Sequence, residues 1–204
     1  EGFVEVTGTT ITGSETWTPS SSVFVSGRSL TIPDLYVCDH EVTRGEFKTL
    51  MGTDPSEAAA YDKDGNKLTG DDVLKNPVNY VNWYDAIVYC NKLSIKEGLT
   101  PCYTISGSTD PDNWGSVPTS SGSKWDAATC DFTANGYRLP TEAEWEFAAR
   151  GKNSSMQLGI TPEYSPIRRS ISSTREKPLF FCSDVTILRI PSVKASSCII
   201  CPDS

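Results

Sequence analysis

The residues of this 204-residue chain that could do chemistry are few, and most of them are thiols. Cys198 and Cys201 form a C-x-x-C pair, a spacing typical of a redox pair or of half a metal clip. The chain has no second C-x-x-C and no histidine near this one. The pair is therefore a possible redox or metal site, with two ordinary tail cysteines as the alternative.

A single histidine limits the nucleophilic and metal chemistry of the chain. His40 stands just before a predicted helix start, and any Ser or Cys nucleophile would have only this residue as its base. An enzyme that holds iron through several histidines is excluded for the same reason. There is also no Gly-rich loop of the kind that binds phosphates.

Residues 62–66, Asp-Lys-Asp-Gly-Asn, resemble a calcium-binding loop in composition. The EF-hand pattern would need glycine where Lys67 stands and a bidentate glutamate where Val73 stands. Asp-Gly is also a favoured dipeptide of tight hairpin turns. We interpret the segment as a turn, with a metal site as the alternative.

Seven cysteines make an unusual count for a chain of this size. Four of them lie before residue 152, an even number that suits an exported protein in a compartment where disulfides form. Cys102 and Cys130 flank one long polar loop and are the pair that we expect to be bridged. Cys90 falls on an apolar helix face, so we interpret it as a buried residue, with a bridge as the alternative.

Charge and composition indicate a globular protein without a nucleic-acid partner. Residues 152–204 contain seven Lys or Arg and four Asp or Glu, so their net charge is +3. Since the net charge of the whole chain is −8, the first 151 residues have a net charge of −11. An acidic body argues against binding a phosphate backbone, which requires clustered cations. No apolar run approaches the roughly 18 residues of a membrane-spanning helix. The change of charge near residue 151 suggests a boundary.

The N-terminal region is expected to form strands, because apolar and polar residues alternate there. Residues 3–6, 10–12, 23–25 and 30–32 show this alternation, and glycines and a proline separate them. We predict two or three short antiparallel strands in this region.

Three helices follow, and two of them begin with a capping box. Thr43 and Glu46 begin the first helix, and Thr141 and Glu144 begin the third. Between them, apolar residues recur at helical spacing over residues 83–97. We explain Glu142, Glu144 and Glu146 by helix capping and the helix dipole rather than by acid–base catalysis.

The long polar segment 99–135 contains two tryptophans, Trp114 and Trp125. A loop of this length in a compact domain is usually functional or internally fastened. The two rings could form a stacking surface for a sugar or peptide ligand. The alternative, which we favour, is that they attach the loop to the body of the domain.

Four sequence motifs together resemble a known family. They are EVT at 41–43, VNWYDA at 81–86, YCNKLS at 89–94 and GYRLPTEAEWEFAARG at 136–151. In this order they are similar to the formylglycine-generating-enzyme, or sulfatase-modifying-factor, family. The resemblance implies an α+β, C-type-lectin-like fold with short antiparallel strands and two to three helices, incomplete at its C-terminal end. Residues 1–151 would be the front part of that domain and residues 152–204 a divergent tail.

The resemblance also sets expectations for function. Enzymes of the family oxidise a sulfatase cysteine to formylglycine with molecular oxygen, through two copper-binding cysteines that lie behind the matched motifs. The family motifs expected in that region are not found after Gly151. They are Gly-Asn-Val-Trp-Glu-Trp, Arg-Gly-Gly-Ser-Trp and Gly-Phe-Arg. We therefore expect a non-catalytic binding or structural module of a bacterium, exported to the periplasm or cell surface, with no catalytic residue and no required cofactor.

Two details of that expectation remain open. The partner would be a protein, peptide or glycan that the sequence does not specify, and calcium is compatible with the family resemblance. The alternative function is a formylglycine-generating oxidase that uses copper and oxygen, with Cys198 and Cys201 as its thiols.

Overall fold

The computed structural model describes residues 2–16, 18, 23–57, 59–62, 64–150 and 188–189. The strands are β1 Phe3–Val6, β2 Thr9–Ile11, β3 Leu30–Ile32, β4 Leu35–Cys38, β5 Tyr103–Thr104, β6 Thr129–Cys130, β7 Tyr137–Arg138 and β8 Leu188–Arg189. The α-helices are α1 Arg44–Met51, α2 Trp83–Lys96, α3 Ser123–Asp126 and α4 Glu142–Arg150. Short 3₁₀ turns cover Gly70–Lys75 and Pro111–Asn113.

The strands form small antiparallel sheets, as the sequence predicts. β1 pairs with β4, so that Phe3 lies opposite Cys38, and β8 lies between β4 and β7. The resulting order is β1-β4-β8-β7, with β2-β3 and β5-β6 as separate pairs. One short strand of the 152–204 region thus enters the middle of the main sheet.

The number and position of the first strands differ from the prediction. Among the described residues before position 39, four strands form, and residues 23–25 are not part of any of them. Their alternation has another cause, because Phe24 is buried in the cluster that also contains Ile11 and Ile32. Burial of a single aromatic residue in a loop gave the same apolar-polar pattern as a strand.

The three predicted helices are confirmed, and so are the two predicted N-terminal caps, those of α1 and α4. Thr43 and Glu46 form a complete capping box at α1, and Gly52 ends that helix in the left-handed conformation at φ 81°. At α4 the Glu144 amide donates to the Thr141 hydroxyl at 3.2 Å. α2 begins with a capping box that the sequence prediction missed, formed by Asn82 and Asp85. α3 is an additional single turn within the long loop.

Two apolar clusters hold the elements together. The larger surrounds α2 and includes Ala86, Ile87 and Cys90, each without exposed surface. Cys90 is therefore a core residue, in agreement with our interpretation. The smaller cluster packs Ile11 against Phe147 and so joins β2 and β3 to α4. None of the described helices has the length and apolar character needed to cross a bilayer.

Candidate functional site

The Asp-Gly segment at 62–66 is a turn, as predicted. Asp62 Oδ1 accepts hydrogen bonds from the amides of Asp64 and Asn66 at 2.9 and 2.8 Å. Gly65 takes φ 85°, a conformation in which an added side chain would be strained. The Asp62 carboxylate is thus used by its own loop.

Trp114 and Trp125 lie inside the protein. Trp114 has no exposed surface and Trp125 is 6% exposed. Their rings pack edge to face with 5.8 Å between centroids, and Trp114 Nε1 donates to the Ser108 carbonyl at 2.8 Å. This placement agrees with the alternative in which they attach the long loop to the body, because neither ring presents a face to solvent.

The predicted thiol pairs have different outcomes. Cys130 lies opposite Tyr103 in the β5-β6 pair, and the Asp131 amide donates to the Cys102 carbonyl at 2.7 Å. The strand pairing therefore brings the two cysteine segments together. No disulfide joins cysteines of the described residues, so this bridge stays a prediction. Cys198 and Cys201 lie outside the described residues.

The described part of the chain contains one cluster of Cys, His and carboxylate donors. It forms where β4 ends and α1 begins. Cys38 Sγ lies 3.7 Å from His40 Nδ1, and Asp39 Oδ1 lies 2.6 Å from the same nitrogen. Glu46 approaches the other ring nitrogen, with His40 Nε2 to Oε1 at 3.0 Å. The imidazole is thus held between two carboxylates beside a thiol.

The electrostatics of this cluster follow from burial and from the paired carboxylates. Burial raises the pKa of the Cys38 thiol to about 11, and the nearby Glu46 and Asp39 charges add to that effect. Burial alone would lower the pKa of His40, but its hydrogen bonds to Asp39 and Glu46 outweigh this and raise it. At neutral pH the thiol is therefore protonated and is not a ready nucleophile.

The cluster was missed by sequence reasoning, which considered His40 by itself. Cys38, Asp39 and His40 are consecutive, and strand geometry alone would place Asp39 on the face opposite Cys38 and His40. The turn after β4 lets all three converge, and the capping residue Glu46 reaches the ring from the next helix. A usable signal would have been three adjacent donor residues that two residues separate from a T-x-x-E cap.

A groove of about 750 Å³ adjoins the cluster, between β1, the end of β4, α1 and α2. Cys38 and His40 form part of its wall. Its apolar lining consists of Phe3, Val42, Leu50, Leu74, Tyr89 and Leu93. Charged side chains of Glu46, Lys48, Lys96 and Glu97 are also in its lining. An apolar lining with a few charged groups is typical of a site that binds an organic ligand or a peptide segment.

Glu144, in the first turn of α4, has a structural role. Glu144 is fully buried and forms a bidentate ion pair with Arg138, the second residue of β7. It also accepts the Thr141 amide at 2.9 Å. Glu144 thus joins a helix start to a strand, which agrees with the capping explanation.

This fold and these motifs define a sulfatase-modifying-factor domain. The profile of the Sulfatase-modifying factor enzyme 1-like domain (FGE-sulfatase) matches residues 3–169, and the chain belongs to that family.

Three known proteins show how far the similarity extends. The chain is 39% identical over 142 residues to Chaperone protein LppX of Paenibacillus barcinonensis, covering 69% of this chain and 45% of LppX. It is 32% identical to Treponema denticola variable protein 1, with a TM-score of 0.55 over 73% of this chain and 52% of that one. The crystal structure of CarF, at 24% identity and a TM-score of 0.50 over 74% and 57% of the two chains, supports the fold alone. The chain spans about half the length of these relatives.

Proposed function

We propose that this chain is a non-catalytic binding module of the sulfatase-modifying-factor family, and that it holds a segment of a partner protein in the groove between β1, β4, α1 and α2. The observation that carries the proposal is the groove itself. It combines an apolar lining with both acidic and basic residues, a surface suited to a polypeptide. A glycan would instead favour exposed aromatic rings, and Trp114 and Trp125 are buried.

The chemistry around the groove supports binding rather than catalysis. The thiol that lines it, Cys38, is 7% exposed and belongs to the core. The acid that lies nearest to His40 in α1, Glu46, is engaged in the capping box with Thr43. Cys38 packs in the core and Glu46 bonds to Thr43. A reaction at either group would require it to give up these contacts.

The relatives support a polypeptide as the partner. LppX is called a chaperone protein, a name for proteins that assist other proteins, and it shares 39% of residues over the matched 142. By that similarity, we favour a protein client over a small molecule.

Export from the cytoplasm is part of the proposal. It is supported by the even number of cysteines before residue 152 and by the approach of the Cys102 and Cys130 segments in the β5-β6 pair. The test is non-reducing peptide mapping of the protein isolated from its native host. A Cys102–Cys130 linked peptide is expected, and two alkylated thiols at these positions would contradict the export proposal.

A groove-blocking substitution tests the binding function. Thr49 is an exposed residue of α1 that lines the groove, so Thr49→Arg adds a long charged side chain there without disturbing the core. Thr119→Arg, in the exposed part of the long loop, is the matched control. The probe is fluorescently labelled, reduced and carboxymethylated α-lactalbumin, followed by anisotropy.

The expected result is binding by the wild type and by Thr119→Arg, with Thr49→Arg weakened by at least about tenfold, which corresponds to about 1.4 kcal/mol. Circular dichroism should show that both variants are folded. Equal binding by the two variants, or no binding by any of them, would contradict the proposed groove.

A further inference from the structure

The side chains at the junction of β4 and α1 bring three different donor atoms close together. Cys38 Sγ, Asp39 Oδ1 and His40 Nδ1 all lie within 4.8 Å of one another. Sulfur and imidazole nitrogen are donors that Zn²⁺ prefers, whereas Ca²⁺ and Mg²⁺ prefer oxygen alone. The donor set therefore selects a class of metal.

We propose that Cys38, Asp39 and His40 bind a zinc ion, with Glu46 orienting the His40 ring. The ligands would be the Cys38 thiolate, one Asp39 carboxylate oxygen and His40 Nδ1. The zinc proposal does not require that a peptide binds in the groove, although Cys38 and His40 line that groove.

The sulfur–nitrogen distance in the cluster is close to that of a tetrahedral zinc site, and the nitrogen–oxygen distance is shorter. With Zn–S of about 2.3 Å and Zn–N of about 2.0 Å, the sulfur and nitrogen should lie about 3.5 Å apart. Cys38 Sγ and His40 Nδ1 are 3.7 Å apart. Nitrogen and oxygen ligands should be separated by about 3.3 Å, and Asp39 Oδ1 is now 2.6 Å from Nδ1. A small rotation of the Asp39 carboxylate, which is 48% exposed, makes room for the ion.

The histidine is already oriented as a metal ligand. Glu46 Oε1 lies 3.0 Å from Nε2, and Glu46 Oε2 is fixed by the Thr43 amide at 2.8 Å. A carboxylate that accepts Nε2–H leaves Nδ1 directed towards the metal, the usual outer arrangement of zinc-bound histidines. Thus the capping residue of α1 also acts as a positioning residue for the proposed site.

Gly2 lies beside the Nδ1 side of the His40 ring. A Cβ added to Gly2 would lie 3.4 Å from His40 Cε1 and 3.8 Å from Asp39 Oδ1. The Asp39 amide donates to the Gly2 carbonyl at 2.8 Å, which holds the glycine there. A side chain at this position would therefore contact His40 and Asp39, and glycine avoids that contact.

Zinc binding at this site would replace a proton with the ion. The thiol proton of Cys38 would pass to solvent when the metal binds, while the His40 ring keeps its proton on Nε2 towards Glu46. Three protein ligands leave a fourth position for water or for a ligand group. Because Cys38 and His40 line the groove, that position would be reached from the groove.

Cobalt substitution tests the site directly. The full-length protein, kept reduced, is titrated with Co²⁺, and thiolate-to-cobalt charge-transfer absorption in the near ultraviolet is recorded. One equivalent should produce the band, and one equivalent of Zn²⁺ should remove it. Cys38→Ser should abolish the band, whereas Cys130→Ser, which removes a thiol elsewhere, should keep it.

Three further thiols lie at Cys182, Cys198 and Cys201, and they require their own control. A variant with all three changed to serine should keep the full cobalt band. Loss of the band in this variant would assign the metal to the tail and overturn the proposal.

Two further variants, at the partly exposed His40 and at its partner Glu46, test the site even if Cys38→Ser does not fold. His40→Gln should abolish Co²⁺ binding, and Glu46→Gln should weaken it by about 10- to 100-fold. Glu46→Gln should keep the cap, so a purely structural Glu46 would change the unfolding transition but not the affinity. An unaltered band in His40→Gln, or no band in the wild type, would mean that His40 is only an ion-paired surface residue.

Discussion

The guanidinium of Arg138 and the carboxylate of Glu144 form a bidentate ion pair, with nitrogen–oxygen distances of 2.6 and 2.7 Å. Neither side chain has exposed surface. The pair joins β7 to the first turn of α4, within the motif at 136–151 that identifies the family. The most specific part of the sequence therefore encodes a scaffold contact.

Removing one partner of this pair should be strongly destabilising. Arg138→Met leaves the Glu144 carboxylate buried without its cation, and we expect a loss of about 3–5 kcal/mol in the free energy of unfolding. The double variant Arg138→Met/Glu144→Leu should lose less than the sum of the single variants. Urea unfolding in a double-mutant cycle measures this, and additive single effects would contradict it.

Asn91 fastens the long loop to α2 and should be equally sensitive. Its Nδ2 donates to the carbonyls of Tyr103 and Thr109, both at 2.7 Å, and its Oδ1 accepts the Tyr103 amide at 3.0 Å. Asn91→Leu leaves three backbone groups without this partner, two of them at the buried Tyr103, and should cost about 3 kcal/mol. Asn113→Leu, at an exposed position, is the control and should change unfolding by less than about 0.5 kcal/mol.

The ion pair of Arg44 and Asp54 predicts a pH dependence of stability. Burial alone would raise the pKa of Asp54, but the hydrogen bonds from Arg44 and Ser56 outweigh it and lower the pKa. Because the folded-state pKa lies below the unfolded value, the pair stabilises above about pH 4 and its contribution is lost as pH falls further. Arg44 Nη2 lies 2.7 Å from Asp54 Oδ2, and both side chains are largely buried.

Asp54→Asn should therefore lower the free energy of unfolding by about 1–2 kcal/mol at neutral pH, and the difference from wild type should shrink below about pH 4. Asp112→Asn is the control, because Asp112 forms an exposed pair with Lys92. Guanidinium unfolding at several pH values measures both. A difference for Asp54→Asn that is constant with pH would contradict the assigned pKa direction.

The central position of β8 predicts that residue 188 matters to the body of the protein. Leu188 is the register partner of both Val37 and Arg138. Proline there would remove a backbone donor and should destabilise by about 1–3 kcal/mol, whereas Leu188→Ala keeps the backbone donor and separates the effect of the side chain. Thermal unfolding compares the two variants. Equal melting temperatures for Leu188→Pro and Leu188→Ala would contradict the strand pairing.

Local signals explain what the sequence could predict. The helices at 44–51 and 142–150 begin with capping boxes, in which residues three apart satisfy each other's amides, so their starts could be derived without tertiary contacts. The turn at 62–66 follows from its own side chains in the same way.

Long-range contacts explain what the sequence could not predict. β8 is a two-residue strand whose partners lie about 50 and 150 residues away, and no local pattern marks it. The groove and the Cys38–His40 cluster depend on how the turn after β4 meets α1 and α2. Side-chain convergence of this kind is set by packing, which periodicity does not encode.

The central claim is that the chain binds rather than oxidises, and one assay tests it most directly. The full-length protein is incubated with copper, air and a cysteine-containing sulfatase-type peptide, and the peptide is analysed by mass spectrometry. We predict that the peptide cysteine remains unconverted. Formylglycine formation that disappears in the Cys198→Ser/Cys201→Ser variant would contradict the account and establish the oxidase alternative.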